Sequence, residues 1–278
     1  MGEPGKRSQF GRVTQGPVGK MTQDKWGPTM PVHASRSPQF PTFGNVLTVN
    51  VFYETDHTAL EILPDCCELP EHPLAVMTIA EYQYPRYYTE LKQAIAVKIN
   101  GKPYFFCTHF YVGPGDNALL GNDLEGRPKK IAKIAVNIAN EQCYGIVERP
   151  PGVTLCTVQF AQTEPVANPE VMAQYSWGPV ASLKVVPSPS YFVDKKYEIA
   201  EVCASGGDGA LTMKIHDFLG KPGVFPGKGS ITFNTQSEMD PLHKVPVKKY
   251  LKAFMYYVDF VVGDKGYDIV YQYPTVKR

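Results

Sequence analysis

The 278-residue chain contains no apolar run approaching the roughly 20 residues that a bilayer-spanning helix needs. Its opening, MGEPGKRSQFGRVTQGPVGK, is charged but has no apolar core, which argues against a secretory signal. Lys6 stands where a myristoylation motif requires Ser or Thr. An excess of charge is also missing. The 28 basic residues against 27 acidic ones leave a net charge of +1, without the electrostatic footprint of a nucleic-acid or anionic-membrane binder. The expected partner is therefore a small molecule, with no nucleic acid and no membrane, and the expected compartment is the cytoplasm.

Metal and nucleotide signatures are missing too. The six cysteines at 66, 67, 107, 143, 156 and 203 form no CxxC, and their scatter does not suit a zinc knuckle. Reduced thiols are the simplest reading, with Cys107 and Cys156 as small buried hydrophobes in strand-like runs. The sequence HDFLG has no second histidine at ligand spacing, so no metal is expected. GGDGALTM and GKPGVFPGKG are glycine-rich, but neither follows a strand and opens a helix with phosphate-loop spacing.

What is present is period-two alternation. Residues 1–44, rich in Gly, Pro, Ser and Gln, read as an extended N-terminal arm, and residues 45–278 as a single β domain. VLTVNVFYET and LAVMTIAEYQY are strand candidates, and YYTELKQAIAVKI and PYFFCTHFYV flank Asn100-Gly101, the dipeptide best suited to a type I′ hairpin. Short helices are expected near 56–63, 116–125 and 168–175, with Asp56 and Asn168 as caps. Many short strands with few helices predict a mainly β fold, an antiparallel closed or nearly closed barrel or double sheet.

The chemistry-bearing stretch is Gly126-Arg-Pro-Lys-Lys-Ile-Ala-Lys133. A lysine attacks a ketone only as the free amine, and its ordinary pKa of about 10.4 leaves little of that form at neutral pH. Burial or a nearby positive charge penalises the ammonium. On a strand Lys129 and Lys130 face opposite ways, so only one can enter a given cavity. Most lysine pairs are simply solvated.

The run YVGPGDNALLGNDLEGRPKKIAKI resembles the signature of the acetoacetate decarboxylase family. VNVFYETDHTALEILP and YYTELKQAIAVKINGKPYFF are similar to further blocks of that family in the same order, spanning roughly residues 46–138. The resemblance implies a carbon–carbon lyase, a decarboxylase or an aldolase-dehydratase, with no cofactor beyond a covalent lysine Schiff base, a small keto-acid substrate and a homo-oligomeric state. It makes Lys129 the Schiff-base lysine, Lys130 its electrostatic neighbour and Glu90 the proton-handling carboxylate. Tyr88, Glu81, Glu125, Arg127 and His109 fall near the implied pocket, although a lone histidine on an apolar strand is more often a hydrogen-bonded core residue. Three positions depart from the family. Val46 replaces an arginine, Thr78 a glutamate and Asn122 a second arginine, which argues against strict acetoacetate decarboxylation. The competing reading is a non-catalytic β-barrel holding an apolar carbonyl ligand.

Overall fold

The computed structural model describes residues 42–83, 87–113, 122, 126–205, 211–262 and 267–275. All of the expected arm before Thr42 lies outside these, as does the helix expected at 116–125 apart from Asn122. The strands are β1 (Thr42–Glu54), β2 (Leu74–Tyr82), β3 (Tyr88–Ile99), β4 (Lys102–Val112), β5 (Lys129–Ile131), β6 (Lys133–Ala139) and β7 (Gln142–Glu148). They continue with β8 (Thr154–Gln162), β9 (Val180–Pro187), β10 (Tyr197–Ser205), β11 (Leu211–His216), β12 (Phe225–Phe233), β13 (Lys249–Val262) and β14 (Tyr267–Gln272). The fold is mainly β, as expected. The expected helices at 56–63 and 168–175 are 3₁₀ turns, His57–Ile62 and Pro169–Tyr175, capped by the Asp56 and Asn168 side chains.

The strands form one sheet in the order β14-β10-β9-β4-β3-β2-β1-β13-β12-β8-β7-β6, with β11 branching from β13 and β5 from β4. This corrects the barrel expectation in two respects. The sheet is mixed, because β4 runs parallel to both β5 and β9. The residues 113–128 between β4 and β5 supply the length that a parallel return requires. The path also fails to close, since β14 and β6 share no ladder among the described residues. Closure falls short by little. β6 curls back toward β3, and the Thr89 hydroxyl donates to the Ile134 carbonyl at 3.2 Å.

The two faces of the sheet bury different clusters, and this places the site. Leu47, Val49, Val51 and Tyr53 of β1 join Met77, Ile79, Leu91 and Ile95 inside the curl. Alternating with them, Val46, Phe52, Val76, Ala94 and Ala96 face the other way, against the Pro169–Tyr175 turn and Trp177. A fully buried aliphatic or aromatic side chain contributes about 1.5–3 kcal/mol, so a one-residue slip in β1–β3 would exchange both sets at large cost. The hairpin holds that register. Asn100 and Gly101 both have positive φ, 50° and 75°, as a type I′ turn requires.

Gly126 fixes the entry to β5. Its φ is +66°, and a Cβ there would lie 2.5 Å from the Lys184 Cα on β9. Gly126→Ala is therefore expected to cost about 2 kcal/mol or more, lowering Tm by roughly 4–8 °C. An unchanged melting curve would show that β5 does not depend on this close approach.

Candidate active site

The residues of β1, β2 and β3 that alternate away from the curl line a cavity of about 420 Å³. Thr78, Tyr82, Glu90 and Lys92 supply its polar groups, and Val46, Phe105 and Phe110 much of its apolar wall. Thr78 donates to Asn50 Oδ1 at 2.7 Å, and Asn50 Nδ2 donates to the Tyr256 hydroxyl at 3.0 Å. At two positions where the family resemblance led to charged groups, this wall carries a methyl-bearing valine and a neutral hydrogen-bond relay.

β5 brings Lys129 against Glu90 and Phe110, two of the residues that line the cavity. It is only three residues long, and two devices hold it. It pairs with β4 in the register Phe110↔Lys129 and Tyr111↔Lys130. On its other side Asn122 acts as a substitute strand, its Oδ1 accepting from the Lys129 N–H at 3.0 Å and its Nδ2 donating to the Lys129 carbonyl at 3.2 Å. The pleat then separates the two lysines. Lys129 Nζ lies 3.2 Å from Glu90 Oε1 and 4.6 Å from the centre of the Phe110 ring. Lys130 Nζ goes the opposite way, donating to Asp240 Oδ1 at 2.9 Å and to the Met239 carbonyl.

Glu90 is buried, and each of its oxygens is engaged. Oε1 meets Lys129 and Oε2 accepts from the Tyr82 hydroxyl at 2.9 Å. Burial, followed by the Glu90 charge, raises the Tyr82 phenol well above its ordinary range, so it stays a hydrogen donor. Tyr88 stacks on Tyr82 at 4.1 Å between centroids, supporting the donor from behind. Asp240 organises the opposite side. Burial alone would push its carboxyl up, but Lys130, Tyr111 and Arg149 outweigh that and hold it below the usual carboxylate value.

The remaining expected residues are dispersed. Arg127 is buried and donates to Ser182 Oγ at 3.2 Å. Glu81 alternates to the other face of β2 and accepts from the Tyr87 hydroxyl at 2.9 Å. Glu125 lies outside the described residues. His109 pairs with Gln93 Oε1 at 2.9 Å on the curl side. Gln93 Nε2 donates to Tyr53 and to the Leu242 carbonyl, so its Oε1 is the acceptor and His109 is the Nδ1–H donor. The residue that sequence reasoning missed is Lys92. Its signal was available, because it stands two positions after Glu90 and must share its face. Among the described residues no group of three His, Cys, Asp or Glu side chains is placed to hold a metal, and no helix is long and apolar enough to cross a membrane. All six cysteines are free thiols.

Comparison with known proteins gives the family and the fold. The acetoacetate decarboxylase family model matches residues 29–271. Decarboxylase DEC1 of Cochliobolus heterostrophus is 25% identical over 232 residues, covering 78% of this chain and 83% of that protein. A solved acetoacetate decarboxylase superposes with a TM-score of 0.75 at 21% identity, covering 91% of this chain and 99% of its own. The enduracididine biosynthesis enzyme MppR, complexed with the condensation product of pyruvate and imidazole 4-carboxaldehyde, superposes with a TM-score of 0.67 at 14% identity, covering 95% and 100%.

His109 generates a pH prediction. Burial first, then the Lys130 charge, pushes its imidazole down to about 4 from the usual 6.5. Above pH 6.5 neither the folded nor the unfolded chain protonates it. Between 6.5 and about 4 the unfolded chain takes up a proton that the folded chain refuses, so stability is lost as pH falls through that window. The loss is on the order of 3 kcal/mol. Urea unfolding of His109→Gln is expected to show that much less pH dependence across the window than wild type. Identical slopes would mean that the imidazole is not held neutral.

Proposed function

The chain belongs to the acetoacetate decarboxylase-like superfamily and is a carbon–carbon lyase of that kind; on that premise we propose that Lys129 is its Schiff-base nucleophile and Glu90 the group that moves protons. The observation that carries this reading is the 3.2 Å contact between Lys129 Nζ and Glu90 Oε1 beside the cavity that Glu90 lines. The amine of Lys129 adds to the carbonyl carbon of a small keto acid, and loss of water gives an iminium. That cation accepts the electron pair of the bond that breaks next. If the bond is to a carboxylate, carbon dioxide leaves and the enamine carbon is reprotonated. If it is an adjacent C–H, Glu90 takes the proton and the enamine attacks an aldehyde, after which the aldol dehydrates. Hydrolysis of the final iminium returns the free lysine. No cofactor enters either sequence, and family membership leaves the binding-barrel reading without support.

Val46 and the Thr78–Asn50–Tyr256 relay favour the second route. A site that drives decarboxylation must bind the charge-shifting transition state better than the bound acid. Neutral groups at these positions offer less to that end. Tyr82, kept protonated and aimed at Glu90, orients the carboxylate toward Lys129.

Borohydride reduction in the presence of pyruvate tests the assignment, because an iminium alone is converted to a stable adduct. Lys129→Ala is expected to abolish the adduct, and Lys130→Ala to retain it, since Lys130 serves placement through Asp240. Glu90→Gln should still trap while turnover falls about 10² to 10⁴-fold. Carbon dioxide release from acetoacetate is expected to be weak. Trapping in Lys129→Ala would overturn the assignment, and brisk acetoacetate decarboxylation would overturn the argument from Val46 and Thr78.

A further inference from the structure

We propose that Lys92 forms a second, non-covalent subsite in the same cavity, an ammonium that receives the carboxylate of the keto acid whose carbonyl Lys129 attacks. The inference rests on the Schiff-base reading of Lys129 and extends it to the anionic end of the substrate.

Position is the first support. Lys92 lines the cavity on β3, two residues beyond Glu90. The β3–β4 register sets Lys92 opposite Phe110, and the β4–β5 register sets Lys129 opposite the same residue. The two lysines thus flank Phe110 from the strands on either side of β4, their Cα atoms two strand spacings or roughly 10 Å apart. Amines on arms of that length, one of them lying over the Phe110 ring, suit the two ends of a small keto acid.

The second support is the lack of a hydrogen-bond or ion-pair partner among the described residues. Lys129 is matched to Glu90, whose other oxygen belongs to Tyr82, and Arg127 donates to Ser182. Lys92 makes no hydrogen bond and no ion pair to any described residue. Burial pushes its amine below the ordinary lysine value, with the Arg127 and Lys129 charges acting in the same sense and Cys107 and Glu90 against them. An ammonium facing Ala94, Phe105 and Phe110 with no carboxylate in hydrogen-bond contact is costly to maintain, and an arriving carboxylate lowers that cost. The contact is strongest while the carboxylate is intact, so it also favours chemistry that keeps the carboxylate over chemistry that expels it.

The test compares a ketone that carries a carboxylate with one that does not. Half-saturating concentrations for borohydride trapping are measured with pyruvate and with acetone, using intact mass, in wild type, Lys92→Met and Lys92→Arg. Loss of the Lys92 charge also changes the reactivity of Lys129, but equally for both ketones, so the pyruvate-to-acetone ratio isolates the carboxylate contact. Lys92→Met is expected to raise that ratio at least about tenfold, the effect of one ion pair, and Lys92→Arg to restore most of it. Lys92→Met should melt no lower than wild type, because it deletes a desolvated charge without breaking a pair. An unchanged ratio would overturn the proposal. So would a folded Lys92→Met that traps neither ketone, because Lys92 would then be the nucleophile. A wild-type protein that traps neither ketone would instead defeat the Schiff-base reading itself.

Discussion

The proposed active site depends on the pleat of a three-residue strand. Lys129 and Lys130 are adjacent, and a strand sends adjacent side chains to opposite faces. Each face meets its lysine with a buried carboxylate, Glu90 on one side and Asp240 on the other. Reversing the strand would break both ion pairs, and loss of the buried Lys129–Glu90 pair alone typically costs about 3–5 kcal/mol. The direction of Lys129 is therefore set by its neighbour as much as by itself. Asp240 also receives Tyr111 from β4 and Arg149 from beyond β7, so several elements hold one anchor.

On the cavity side the polar groups are few and unequal. Glu90 is shared between Lys129 and the Tyr82 phenol, which fixes both of its oxygens before any substrate enters. Preorganisation of this kind limits the rearrangement needed when charge develops on the reacting atoms. Around it, Val46 and the Thr78–Asn50–Tyr256 relay keep one wall neutral, while Lys92 concentrates positive charge beside Phe110. The cavity is thus neutral along one wall and charged along another.

Much of this was legible in the sequence. Asn100-Gly101 declared its hairpin because few other dipeptides take positive φ twice. Period-two alternation gave the opposed directions of Lys129 and Lys130; the same rule places Lys92 on the face of Glu90, a step the sequence reading did not take. What was not legible is non-local. Asp240 lies 110 residues from Lys130 and sits in a loop with no pattern to mark it. The parallel pairing of β4 with β5 and β9, and the open ends of the sheet, depend on where long connections return, which alternation does not encode. Asn122 is a similar case. Its role as a bracket on the Lys129 peptide groups follows from three-dimensional proximity, whereas its sequence position suggested only a missing arginine.

The central claim is that one amine, Lys129, makes the covalent bond. The most direct measurement is a peptide map of wild-type protein after pyruvate and borohydride, with the modified lysine located by fragmentation. The account predicts a single adduct on Lys129, with Lys130 and Lys92 unmodified. An adduct on Lys92 or Lys130 in place of Lys129 would contradict it.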